Sequence, residues 1–249
     1  VAHQAAITRS VLSEQVKGRL LEAILDGRYA PGARIVETRV AREFGTSQAP
    51  VREALRDLEA LGVVEVTAFR GARVRHPSVG ELLEAFEVRA ILETEAACLA
   101  LAAISRDDLA SLDGYVAQMR QAAEAGDPYA EAKADADFHG YVMHLSGNAT
   151  LERVWRTLEP FLRTYITIAS AGVDRREIAD RHAPLVKALR KGDPDGVRRA
   201  IEYHFEQAAD SLARVWVDPG ADVPAPAQRP IRLSDRRSPA TSPAHVTSR

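Results

Sequence analysis

The stretch Val40-Ala41-Arg42-Glu43-Phe44-Gly45-Thr46-Ser47-Gln48-Ala49-Pro50-Val51-Arg52-Glu53-Ala54-Leu55 reads as the end of one helix, a tight turn and the start of another. Gly45 punctuates the first helix, which the pattern places over Glu37 to Phe44. Ser47 is the N-cap candidate of the second, Ala49 to Leu61, and Pro50 falls in its first turn, where a missing N–H is tolerated. Val51, Leu55, Leu58 and Leu61 recur at helical spacing and form the face to be buried. Upstream, Val16, Leu20, Ile24 and Leu25 mark a helix over Glu14 to Leu25, and Pro31-Gly32 breaks the chain after it. Downstream, Val63-Val64-Glu65-Val66 and Ala72-Arg73-Val74-Arg75 alternate as two short strands joined through Phe69-Arg70-Gly71. Three helices followed by a two-stranded ribbon is the order of a winged helix-turn-helix.

In such a fold the second helix of the pair enters the major groove, with its N-terminal residues against base edges. Thr46, Ser47, Gln48 and Arg52 occupy that end. Gln48 has the amide that reads adenine bidentately, and Arg52 the fork that fits guanine or a phosphate. Arg39 on the preceding helix and Arg70 at the ribbon tip are placed for backbone or minor-groove contact. Taken singly, each arginine is equally a solvated surface group. Charge distribution favours the polyanion: residues 1–76 hold 12 Lys+Arg against 9 Asp+Glu, whereas the remainder holds 21 against 26.

Beyond the ribbon the chain changes character. Of its 249 residues 46% are apolar but only 6% aromatic, and Ala, Leu, Arg and Glu dominate, so helix is favoured over sheet. Helical patterns run over about 79–104, 106–126, 128–145, 150–172, 175–191 and 193–217. Ser105 with Asp108, Asp127-Pro128 and Asp193-Pro194 supply their N-terminal signals. The expected organisation is a mainly α chain: a winged helix-turn-helix over 1–76, an all-α antiparallel bundle over 77–217, and a tail over 218–249. That tail holds six of the 13 prolines and no apolar period, and is expected to be disordered. The single cysteine, Cys98, excludes an intrachain disulfide framework and any Cys-based zinc or iron–sulfur site. No run approaches 18 apolar residues and no secretory signal opens the chain, so a cytoplasmic protein with no membrane partner is expected.

The bundle carries one constellation that points to chemistry. Asp135 and His139 stand four apart and project from one helical face. His182 and His204 lie ten residues before and eleven after the turn at Gly192-Asp193. At about 1.5 Å per residue they come level across an antiparallel pair. A carboxylate and three imidazoles converging in a bundle core suit a divalent cation, zinc first, with nickel, manganese or iron(II) also compatible, and leave positions open for a ligand. His144 projects elsewhere, and His3, His76 and His245 lie outside the bundle.

Two sets of motifs resemble known families. Pro31-Gly32, Val40 to Gly45, Ala49-Pro50-Val51-Arg52-Glu53-Ala54-Leu55, Leu58-Glu59, Gly62-Val63 and the wing glycine Gly71 resemble the head of the GntR-family bacterial transcription regulators. The resemblance implies that Arg39, Ser47, Gln48, Arg52 and Gly71 fall at positions used on the operator. Many members carry Ser-Arg-Thr where this chain has Ser47-Gln48-Ala49, a departure that bears on base preference. Glu87-Val88-Arg89 with Glu93, Asp135-x-x-Phe138-His139, Ser146-Gly147-Asn148, Arg181-His182 and Asp193 to His204 resemble the FCD ligand-binding domain of the FadR subfamily. In its metal-binding members the positions matching Asp135, His139, His182 and His204 are the ligands. Arg89 matches an arginine that meets the effector's carboxylate, and is equally placed for an i,i+4 salt bridge with Glu93. The resemblance spans about residues 10–215.

Together these features imply a homodimeric, ligand-responsive transcription regulator of the repressor type. Its partners are a double-stranded inverted-repeat operator and a small carboxylic-acid effector, such as a sugar acid, hydroxy acid or dicarboxylate. Two alternatives stay open at this point. One is a metal-dependent hydrolase or oxygenase using the Asp/His set with Glu159 or Asp137 as base. The other is a bundle in which the metal is purely structural.

Overall fold

The computed structural model describes residues 2–25, 27–67, 71–169 and 173–218. The wing contact expected of Arg70, and the expected tail apart from Asp218, lie outside the described residues. The head consists of α1 (Ala2–Leu25), β1 (Arg34–Ile35), α2 (Glu37–Glu43), α3 (Gln48–Ala60), β2 (Val64–Thr67) and β3 (Gly71–Val74). Val16, Leu20 and Ile24 of α1 pack against Val40 of α2, Val51, Leu55 and Leu58 of α3, and Val64, Ala72 and Val74 of the sheet. Leu61, expected on the buried stripe, is only partly buried at the end of α3.

The ribbon is a three-stranded antiparallel sheet of order β1-β3-β2, one strand more than the alternation showed. Two-residue β1 has no period to display, and it is a strand because Ile35 pairs with Ala72 and Arg34 with Arg73. Gly71 opens β3 with φ +84°, a conformation that strains any L side chain, so the wing needs glycine there. Ser47 stands at the N-cap of α3, but its side chain makes no capping hydrogen bond.

The body is helical throughout: α4 (Val79–Ala100), α5 (Arg106–Ala125), α6 (Pro128–Leu145), α7 (Ala149–Ala169), α8 (Arg175–Asp180), α9 (Ala183–Lys191) and α10 (Pro194–Val215). The caps are those expected: Ser105 and Asp108 form a reciprocal capping box. Asp127 accepts from the amides of Tyr129 and Ala130, and Asp193 from that of Asp195. Phe86, Phe138, Tyr165 and Phe205 are the largest fully buried side chains of the shared core. One expectation fails. The pattern over 175–191 is two helices, not one, because Pro184 has no N–H to continue a helix and its ring crowds the carbonyl four residues back. The break sets His182 at the N-cap of α9, with its side chain wholly buried.

Head and body meet at a clamped linker. Tyr165 of α7 donates its hydroxyl to the carbonyl of Arg75 at 3.0 Å, and Arg75 donates to the carbonyl of Gly62 and pairs with Glu81. Trp216, just past α10, donates to the carbonyl of Pro77 at 2.9 Å and packs edge-on against Tyr165 and His76. Asp218 accepts from the amide of Val79, so it ties the end of α10 to the start of α4. Tyr165→Phe should leave the carbonyl of Arg75 without this donor and lower stability by about 1–2 kcal/mol, read as a shifted urea midpoint at unchanged slope.

Candidate functional site

At the head, the start of α3 presents Ser47, Gln48 and Arg52 to solvent, and Arg39 is exposed on α2. Thr46 differs from the others. It is half-buried, and its Oγ1 is shielded from water with no hydrogen-bond partner. Arg52 is not free: its Nε and Nη2 donate to the Glu37 carboxylate at 3.2 and 2.9 Å. Sequence reasoning missed this brace, which spans two helices. It also missed Arg34 and Arg73, exposed and directly opposed across β1 and β3. Like charges so placed repel, and Glu65 opposite Arg73 on β2 offsets only part of that.

In the body, α6, α9 and α10 bring the sequence-expected set together. The Nε2 atoms of His139 and His182 lie 3.1 Å apart, and Asp135 Oδ1 is 3.1 Å from His182 Nε2 and 3.8 Å from His139 Nε2. The ring of His204 stands 4.5 Å from that of His182 and 5.1 Å from that of His139. The other ring nitrogen of each histidine faces an oxygen acceptor. Nδ1 of His139 donates to Glu93 at 2.5 Å, that of His182 to the carbonyl of Ile178 at 3.1 Å, and that of His204 to the carbonyl of Arg181 at 3.4 Å. With these outward partners on one nitrogen of each ring, one nitrogen from each of the three histidines lies within 4.8 Å of the others.

Electrostatics agree with that arrangement. Burial pushes the pKa of His139 down against the pull of Glu93, and burial with the neighbouring rings pushes His204 well down, so both stay neutral at neutral pH. Despite burial, which would raise it, the pKa of Asp135 lies below the usual carboxylate range, with the Arg89 guanidinium among the groups that hold it there, so the carboxylate is ionised. Three imidazoles and one carboxylate are a cation's donor set, and an ion about 2.0–2.1 Å from two of the nitrogens places them at about the 3.1 Å seen between His139 and His182. Exposed His144 takes no part and lies 3.8 Å from Glu152.

Around the set, α4 and α7 supply what sequence reasoning saw only in part. Arg89 and Glu93 form the i,i+4 pair at 2.6 Å, both buried. Glu93 also accepts from His139 and, at 2.7 Å, from Trp155 Nε1. Burial opposes its charge, yet His139 and Arg89 hold its pKa near 2. Arg89 lies between the rings of Trp155 and Phe205, and its Nη2 is buried without an acceptor. A cavity of about 50 Å³ opens onto the histidines, with Arg89, Phe86, Phe205, Arg181 and Ser211 in its lining. On the other side of Asp135, a smaller one of about 20 Å³ is lined by Glu131, Arg163 and Thr167.

Residues 12–74 match the family of bacterial regulatory proteins, gntR family, and residues 84–207 match the FCD domain. The chain is 36% identical over 198 residues to a probable D-xylose utilization operon transcriptional repressor of Paenarthrobacter nicotinovorans, covering 80% of this chain and 87% of that one. It is 28% identical over 200 residues to the transcriptional regulator McbR of Escherichia coli, covering 79% and 90%. The solved structure of E. coli McbR superposes with a TM-score of 0.71 at 26% identity, over 82% of this chain and 97% of the other.

One buried acid near the site titrates in the physiological range. Burial raises Glu131 to about 7 against the pull of Arg175, 3.9 Å away, and Asp135 raises it further. Its folded pKa exceeds the unfolded value, so the stability it contributes is full below about pH 4.3 and is lost as pH rises through about 7. Glu131→Gln should therefore match the parent at pH 4 and exceed it at pH 8 by about 1–3 kcal/mol, measured by urea unfolding at both pH values.

Proposed function

The chain belongs to the GntR family of bacterial regulatory proteins, with an FCD domain as its C-terminal module, and from that premise we propose a metal-dependent, effector-controlled repressor. DNA-binding transcriptional regulation is the function of this family; catalysis is not, and the enzyme reading falls. The observation that carries the finer reading is the inward set of histidine lone pairs beside Asp135, each locked by a bond on the far side of its ring. Only a cation satisfies three such lone pairs at once. Asp135, His139, His182 and His204 would hold it, with zinc the first choice for three nitrogens and an oxygen and nickel, manganese or iron(II) compatible. When bound, the ion supplies a Lewis-acidic position for an effector carboxylate.

Arg89 supports that role through its buried, acceptor-less Nη2 on the same cavity. The effector class is a small carboxylate, and the relative named for D-xylose utilization favours an acid derived from sugar breakdown. The head, through Arg39, Thr46, Ser47, Gln48, Arg52, Arg70 and Gly71, contacts an inverted-repeat operator as a homodimer. Effector acts on the head through α4 and α10. Both line the cavity, and their ends hold the linker through Val79, Trp216 and Asp218. A ligand that favours one setting of those ends shifts the population of DNA-competent heads.

His182→Ala and His204→Ala should each lower metal content and weaken effector binding, leaving effector-free operator binding intact, whereas His144→Ala keeps parental metal content. Elemental analysis after identical purification is the measurement, and full occupancy in the first two would sink the site. Chelation that melts the body without altering the effector response would favour a purely structural ion. On DNA, Arg52→Ala should weaken operator binding by about 1–3 kcal/mol, and Gln48→Ala should relax base choice with a smaller loss. Footprints of both variants matching the parent would count against the assigned recognition helix.

A further inference from the structure

Arg181 is the C-cap of α8 and stands directly before His182, yet its side chain turns to α10. Its Nη1 donates to the carbonyl of Gln207 at 3.3 Å, and its Nη2 to Ser211 Oγ at 2.8 Å and to Glu177 at 2.9 Å. Only 9% of the side chain is exposed, and Nε is buried with no acceptor. Ser211, also buried, accepts from both Arg181 and Arg214, so its lone pairs are filled and its own O–H remains to donate. Both residues line the cavity that opens onto the histidines.

A buried guanidinium N–H without an acceptor is costly, and that cost is relieved when a ligand brings an oxygen to it. Charge sharpens the demand. Arg89 is matched by Glu93, buried beside it, whereas Glu177, the one carboxylate paired with Arg181 among the described residues, is 55% exposed and weakened by solvent. The two guanidiniums also pack at different levels of α10. Arg89 sits over Phe205, and Arg181 grips Ser211, six residues further on and so roughly 9 Å along the helix axis.

We propose that Arg181 and Ser211 form a second anion subsite, at the end of the cavity away from Arg89, which makes the effector a short hydroxy acid with an acidic group at both ends. The inference rests on the metal-carboxylate reading above and adds the far end of the ligand to it. The subsite offers donors only, so it discriminates against a terminal methyl or hydroxymethyl group.

Titration calorimetry on the full chain loaded with zinc tests this with two probe pairs: lactate against malate, and gluconate against glucarate. Each pair shares a chelating hydroxy-acid head, and only the second member has an acidic far end. In at least one pair the diacid should bind tenfold or more tightly. Arg181→Gln should remove that advantage while leaving the monoacid within about twofold and zinc content unchanged, and Arg181→Lys should keep part of it. Should Arg181→Gln fail to fold, Ser211→Ala serves in its place, with a loss of about threefold or more confined to the diacid. Equal binding within both pairs, or equal weakening of mono- and diacid by either substitution, overturns the subsite but leaves the metal-carboxylate reading standing. Failure of all four acids to bind the zinc-loaded chain overturns both.

Discussion

One buried carboxylate organises the body. Glu93 accepts hydrogen bonds from Arg89 on its own helix, from His139 on α6 and from Trp155 on α7. A carboxylate taken out of water is tolerable only when its oxygens are met by donors, and here three different side chains meet them. The consequences run outward from that centre. His139 is held in one tautomer, Arg89 is pinned between two aromatic rings, and the indole of Trp155 has the acceptor that a buried Trp needs. The three helices bearing these groups are thereby fixed in rotation as well as in spacing, a precision that apolar packing alone does not impose.

The same helices reach the head. Trp155 and Tyr165 lie ten residues apart on α7, one bonded to Glu93 and the other to the carbonyl of Arg75. On α10, His204 faces the cavity and Trp216 seals the linker at Pro77. No separate relay is needed to connect the two regions: each of these two helical rods carries a contact with both. What differs between the two rods is the nature of their ties at the linker, since α7 touches it through a phenol and α10 through an indole and the carboxylate of Asp218.

The helix-turn-helix was legible in sequence because its signals are local. Gly45 and Pro50 act through their own backbones, and Val51, Leu55 and Leu58 mark a face within one helix. The Asp135–His139 step and the near-equal distances of His182 and His204 from their turn were legible for a similar reason, since helical geometry converts residue counts into positions. The unread features are all relations between elements. Strand β1 exists only through pairing with β3. The break between α8 and α9 hid because Ile178, Ala179, Leu185 and Val186 keep a plausible apolar pattern across it. Glu93 finds His139 at 46 residues' separation and Arg181 finds Ser211 at 30, between helices whose mutual rotation no periodicity specifies.

On the proposed recognition helix, the brace between Arg52 and Glu37 would bear on how the head tells one DNA from another. A surface arginine approaching phosphate ordinarily displaces small mobile ions from the duplex, and that release drives sequence-blind attachment. Arg52 arrives with its own covalently attached counter-ion, so a bare backbone offers little that Glu37 does not already provide. A guanine edge presents two acceptors in a plane matched to the guanidinium fork, and can compete for it in a way that a single phosphate oxygen cannot. If Arg52 reads a base as proposed, the carboxylate would act as a threshold, subtracting affinity everywhere along a genome and returning it only where the right base stands.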